Sequence, residues 1–190
     1  MSKRVLVKLL IMFTGKLHES GIKVFDEEDA EEIHEEKYYG KILDTGELHL
    51  SPPEALHLVD REELEVEDKG EVLSREELHE RFRDIDEEFD FKYAAYSDLR
   101  ERGLIVKSGF KFGAHFRVYE RGVNPYKDGP KTQKDHTKFV VHAVPEDHTM
   151  SFQEMSRAVR LAQNIRAQML WAVVDSESGV TYYEVEHLTP

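Results

Sequence analysis

The sequence predicts an α+β protein in two parts: a small mixed α/β N-terminal domain, residues 1–88, and a compact C-terminal α/β domain, residues 89–190, with a central mixed sheet flanked by helices. Three observations predict it. Short alternating runs that read as strands are interleaved with helical stretches carrying their own caps. The net charge changes sign near residues 85–92. A chain of 190 residues, 39% of them hydrophobic, can fill one large core or two small ones.

Taken in order, residues Arg4 to Phe13 read as an opening strand. Lys8 interrupts the apolar run and no small-residue cleavage site follows, which argues against a signal peptide. The segment DEEDAEEIHEEKYYG is acidic enough to be an exposed helix or loop. In GELHLSPPEALHLVDREELEV, the run ELHL alternates as a short strand, Ser51 caps a helix and Pro52 suits its first turn. Ala55, Leu56, Leu58 and Val59 give that helix an apolar side, and ELEV alternates again. A second helical stretch starts with a capping box, Ser74 followed three residues later by Glu77, and stops at Gly103.

Beyond Gly103 come the strands GLIVKSG and FKFGAHFRVYERG, then a loop rich in Gly, Pro and Lys, VNPYKDGPKTQKD. The strand HTKFVVHAV, beginning at His136, leads to a helix that opens with Ser151 and Glu154. Its core side is read as Met155, Ala158, Val159, Ala162, Ile165 and Met169, so Arg160, Asn164 and Ala167 fall on the opposite stripe. The strand MLWAVVD, the turn SESG and the strand VTYYEVEHL close the chain.

Composition excludes several functions. There are no cysteines, hence no disulfides, thiolate metal sites or thiol nucleophiles. No apolar stretch approaches the roughly 20 residues of a membrane span, so a cytoplasmic protein without membrane attachment is expected. The net charge of −13 is unevenly spread. Residues 1–90 hold 12 Lys/Arg against 27 Asp/Glu, residues 91–138 hold 11 against 5, and residues 139–190 hold 3 against 7. A basic segment within an acidic protein suits a polyanion site, because phosphate binding is a local electrostatic matter.

Within and beside that segment lie the candidate groups. Tyr119 and His136, at the edges of neighbouring strands with cations nearby, are suited to acid–base chemistry on a phosphodiester. Arg160 can stack on an extruded base or meet a phosphate. His115 reads as structural or as a substrate contact. His136, His142 and His148 invite a metal reading, but His136 and His142 would lie about 20 Å apart along a strand, too far for one ion. Neither a metal nor another cofactor is expected.

The motifs YSDLRERGLIVKSGFKFGAHFRVYERG, HTKFVVHAV, VRLAQNIRAQMLWAVVD and GVTYYEV together resemble the catalytic domain of the archaeal tRNA-splicing endonuclease family. GELHLSPPEALHLVDREELEV resembles its N-terminal domain. The resemblance implies a metal-independent endonuclease that cuts introns from precursor tRNA at bulge–helix–bulge motifs, leaving 2′,3′-cyclic phosphate and 5′-hydroxyl ends. It assigns Tyr119 to the 2′-hydroxyl proton, His136 to the departing 5′-oxygen and a lysine to the charged intermediate. That lysine position is occupied by Ala167, so catalysis is expected to be impaired, by engineering or by divergence. Arg160 matches an arginine that clamps a bulge base. Lys127, Lys131 and Lys134, in a loop longer than the family pattern, extend the expected RNA contact. Asp175 and Glu177 match an acidic turn that docks into a partner subunit, within an expected homotetramer whose C-terminal strands pair. Two other readings stand beside this one: a non-catalytic structural subunit that binds RNA and positions an active partner, and a plain RNA-binding module.

Overall fold

The computed structural model describes residues 12–127, 129, 132 and 135–188. The opening strand expected from Arg4 lies outside them except at its end, where strand β1 (Phe13–His18) begins. The chain divides into two compact units, Met1–Ile85 and Asp86–Pro190. Among the described residues no helix is long and apolar enough to cross a membrane.

The first unit is a mixed sheet with short helices. After β1 come β2 (Gly21–Val24), helix α1 (Glu27–Glu31), a π-helical turn (Glu32–Glu36), β3 (Lys41–Ile42) and β4 (Leu48–Leu50). Helix α2 (Pro52–Asp60), β5 (Leu64–Asp68), β6 (Glu71–Val72) and α3 (Arg75–Ile85) complete it. The strand order is β3-β4-β2-β1-β5-β6, with β1 and β5 parallel and the other pairs antiparallel. The acidic segment is only partly an exposed element. Ala30, Ile33 and Tyr39 are buried, so its charges form one side of a helix whose other side joins the core. Glu54 is itself buried, and its carboxylate accepts from the Gly40 N–H and from the Ser51 N–H and hydroxyl. Those donors balance the cost of burying the charge and fix the start of α2.

In the second unit α4 (Phe89–Glu101) leads to β7 (Ile105–Ser108), a 3₁₀ turn (Phe110–Phe112) and β8 (Phe116–Tyr119). Then follow β9 (Phe139–Pro145), α5 (Phe152–Asn164), β10 (Gln168–Val174) and β11 (Val180–Val185). The sheet order is β11-β10-β9-β8-β7; β9 and β10 are parallel, joined through α5, and the remaining neighbours are antiparallel. The helix stretch predicted from Ser74 to Gly103 is thus split, because the chain leaves helix geometry between Ile85 and Phe89. Gly103 ends α4 as expected, at φ 79, with the Leu104 N–H bonded to the Leu99 carbonyl.

Helices cover both faces of this sheet. On one, the Tyr96 ring of α4 meets Phe116 at 5.7 Å, and the Tyr182 hydroxyl of β11 donates to Asp98 of α4 at 2.7 Å. On the other, Ala158, Val159 and Ala162 of α5 pack with Val140, Met169 and Trp171. The capping box at Ser151 and Glu154 is present, with the Glu154 carboxylate taking the Ser151 N–H at 2.8 Å.

Two local expectations are corrected here. Helix α5 ends at Asn164, so Ala167 does not continue the stripe of Arg160 and Asn164, and Met169 belongs to β10 rather than to the helix core side. The cause is a Schellman turn: Arg166 adopts φ 58, its N–H bonds to the Gln163 carbonyl, and the Ala167 N–H bonds to the Ala162 carbonyl at 2.9 Å. His136 does not begin a strand either, since β9 starts at Phe139. Its antiparallel neighbour β8 stops at Tyr119, and the chain turns away there through Gly122 at φ 72, leaving His136 no ladder partner.

Candidate active site

Because β8 is antiparallel to β9 and β9 is parallel to β10, the C-terminal end of β8 and the N-terminal ends of β9 and β10 share one edge of the sheet. Tyr119 closes β8, His136 stands three residues ahead of β9, and Ala167 stands one residue ahead of β10. The sequence therefore named residues that the topology brings to one edge, from segments far apart along the chain.

Register fixes a tighter relation. Val118 pairs with Phe139, and Phe139 with Gln168. The Lys138 N–H donates to the Val118 carbonyl at 2.8 Å, and the Gln168 N–H donates to the Lys138 carbonyl at 2.9 Å. One residue beyond these pairs, Tyr119, Lys138 and Ala167 form a row across the three strand ends. By strand alternation the row belongs to the face that carries Val140 and Met169, which α5 covers.

The three positions differ in exposure. Tyr119 is 5% exposed, a buried phenol at the rim of the core. Ala167 is 9% exposed and packs with Ala162, Val140 and Met169. His136 is exposed. Lys138 is half-exposed, its ammonium paired with the Glu120 carboxylate at 2.5 Å and set 5.1 Å from the Phe139 ring centre. Lys138 was missed in the sequence, where it is one of many lysines; only the strand register shows that it separates Tyr119 from Ala167.

The other predicted residues have mixed fates. Arg160 is exposed, about one turn before the end of α5, and its Nε donates to the Ser156 carbonyl at 3.3 Å. Lys127 forms an ion pair with Asp135, the residue before His136, at 2.9 Å. Asp135 also accepts from the Thr132 N–H and hydroxyl, and the Lys127 bond with these two holds its carboxyl well below the usual range. Lys131 and Lys134 lie outside the described residues. Asp175 spends its carboxylate inside its own turn, accepting from the Glu177 and Gly179 N–H groups at 2.9 and 2.8 Å. Glu177 is exposed on that turn.

A separate cavity of about 460 Å³ opens at the other end of β9, lined by Phe91, His115, His142, Trp171, Arg157 and Leu161 among others. His142 stacks on Trp171 with ring centres 4.8 Å apart. The His115 Nδ1 accepts the Ala143 N–H at 3.0 Å, which leaves the proton of a neutral ring on Nε2. Tyr119, His136 and Ala167 are not among its walls.

A mixed sheet between two helices, with a tyrosine and a histidine at one edge beside a basic segment, is a framework suited to nucleic-acid chemistry, and comparison with known proteins gives it a family. The sequence profile of the tRNA intron endonuclease catalytic C-terminal domain matches residues 89–182, and that of the tRNA intron endonuclease N-terminal domain matches residues 13–79. The chain belongs to the tRNA intron endonuclease family. It is similar to the tRNA-splicing endonuclease of Thermococcus kodakarensis, 42% identical over 88% of this chain and 94% of that one. The tRNA-splicing endonuclease of Thermococcus onnurineus is 40% identical over 88% and 92%. That of Methanococcoides burtonii is 35% identical over 90% of this chain but only 47% of its own length.

Proposed function

We propose that this chain is a cytoplasmic, metal-independent RNA endonuclease that cuts introns from precursor tRNA at bulge–helix–bulge motifs. Residues 89–190 carry the chemistry and residues 1–88 serve assembly. The Tyr119 oxygen takes the proton of the ribose 2′-hydroxyl, the 2′-oxygen bonds to phosphorus, and the bond from phosphorus to the 5′-oxygen breaks as His136 protonates that oxygen. The products are a 2′,3′-cyclic phosphate and a 5′-hydroxyl. The observation that carries this reading is the single sheet edge shared by the ends of β8, β9 and β10.

Ala167 offers no cation to the phosphorane, so cutting is slow in the chain as it stands. Arg160 and the lysines 127, 131 and 134 hold the RNA. Two cuts per intron require two such sites at a fixed separation, which a homotetramer supplies through β11 pairing and through docking of the turn at Asp175 and Glu177. Ala167 is also the observation that favours a second reading, a non-catalytic subunit that positions RNA for an active partner.

The test is cleavage of an end-labelled bulge–helix–bulge RNA in EDTA by this chain and by its Ala167→Lys variant. Two cuts ending in cyclic phosphate, slow in the first and faster by about 10²–10³ in the second, are expected. Binding without cutting by both proteins would remove the catalytic reading in favour of the positioning subunit.

A further inference from the structure

We infer that Lys138 supplies a weaker phosphate-neutralising cation at this edge, in the absence of one rooted at position 167. The inference rests on the endonuclease reading above. In-line attack on a phosphodiester puts added negative charge on the non-bridging oxygens, and a positioned cation there is among the largest contributions to such catalysis. Tyr119 and His136 are committed to the two proton transfers, and Ala167 has only a methyl group.

Lys138 is the cation that the fold holds in the row itself. Its backbone is clamped from both sides, N–H to Val118 at 2.8 Å and carbonyl from Gln168 at 2.9 Å, so its Cα is as firmly placed as any strand residue. Neighbouring strands lie about 4.8 Å apart, a distance shorter than the reach of an extended lysine side chain. An ammonium rooted at 138 therefore sweeps a volume that overlaps the one swept from 167, on the Tyr119 side of it. The present partner of Lys138 is replaceable. Glu120 and Lys138 are 48% and 40% exposed at their side chains, and an ion pair that wet is a weak restraint. A phosphate arriving between Tyr119 and His136 competes for the ammonium with a full charge of its own, and the covalent geometry need not change.

The test is a two-by-two set under single-turnover conditions, with enzyme saturating over a bulge–helix–bulge RNA in EDTA: the present chain, Lys138→Ala, Ala167→Lys, and both substitutions together. RNA affinity is read by gel shift and folding by far-ultraviolet circular dichroism. Lys138→Ala is expected to lower the cleavage rate at least tenfold in the present chain and less than threefold when lysine stands at 167, because the cation is then already supplied. That non-additivity marks two residues serving one purpose. Lys138→Arg is expected to retain most of the rate.

Equal losses in both backgrounds, accompanied by weaker binding, would make Lys138 an RNA-binding or structural residue and overturn the inference. So would an unchanged rate in Lys138→Ala. A present chain that never cuts, beside an Ala167→Lys variant that does, overturns it while leaving the endonuclease reading intact. Absence of cutting in all four proteins defeats both readings.

Discussion

Arg166 sits in the left-handed region at φ 58, where a Cβ costs about 1 kcal/mol that glycine avoids. It holds the position after α5 that glycine most often fills. Arg166→Gly is therefore expected to stabilise the protein by about 0.5–1 kcal/mol, seen as a higher urea midpoint at unchanged slope. A lower midpoint would mean that the guanidinium contributes more to the turn than its backbone costs. A second residue ties stability to pH. Burial, and then the neighbouring His115 and His148, hold the His142 imidazole down to about 4, against an ordinary 6.5. In the window between these values the unfolded chain binds a proton that the folded chain refuses. The stability that neutral His142 confers is thus whole above about pH 6.5 and drains away as pH falls toward 4. His142→Phe, which keeps a ring against Trp171, should make the decline between pH 6.5 and 4 shallower in urea titrations at a series of pH values. An unchanged slope would put the titration elsewhere.

Among the elements, β11 is tied to α4 through Tyr182. The Tyr182 hydroxyl donates to Asp98, Asp98 also pairs with Arg102 at 2.6 Å, and the Arg102 guanidinium lies 5.5 Å from the Tyr182 ring centre. Burial and the adjacent Asp98 carboxylate raise the Tyr182 phenol far above its ordinary range. Tyr182→Phe should cost about 1–2 kcal/mol in chemical denaturation and remove from the ultraviolet titration a tyrosine that ionises above the ordinary range. No loss in either measurement would make the contact incidental. What could be read from the sequence at this scale was local chemistry. Ser74 with Glu77, Ser151 with Glu154 and Gly103 each marked a boundary because cap and partner lie within a few residues. The end of α5 could not be read. Ile165, Arg166 and Ala167 carry no helix-stopping signal; the Schellman turn at Arg166 ends the helix and delivers Gln168 to its pairing with Phe139. The start of β9 was misplaced for the same reason, since alternation in HTKFVVHAV says nothing of where the partner strand runs out. Tyr119 and His136 were legible as residue types, whereas Lys138 became visible only through register.

At the scale of the whole molecule, charge segregation bears on the RNA contact proposed above. A chain of net charge −13 repels a polyanion at long range, so the proposed contact draws its attraction from the basic middle segment, over short distances. Raising salt from 50 to 200 mM is expected to weaken RNA binding by about 10², the loss for neutralising roughly four phosphates. Affinity insensitive to salt would place recognition away from the phosphates altogether. The family relationship extends over both units, with matched residues 13–79 in one and 89–182 in the other.

The clamp of Lys138 against Val118 has one more consequence, for how the gene can change. Tyr119 and Lys138 are adjacent in space because two strands pair, whatever the length of the chain between them. Doubling the length of such a connection costs only about 0.6 kcal/mol. Lengthening the chain between Gly122 and Lys127 therefore costs the sheet little, while it adds surface beside the site. The stretch is a place where descendants of this protein can gain substrate-binding residues while the strand ends that carry Tyr119 and Lys138 keep their register.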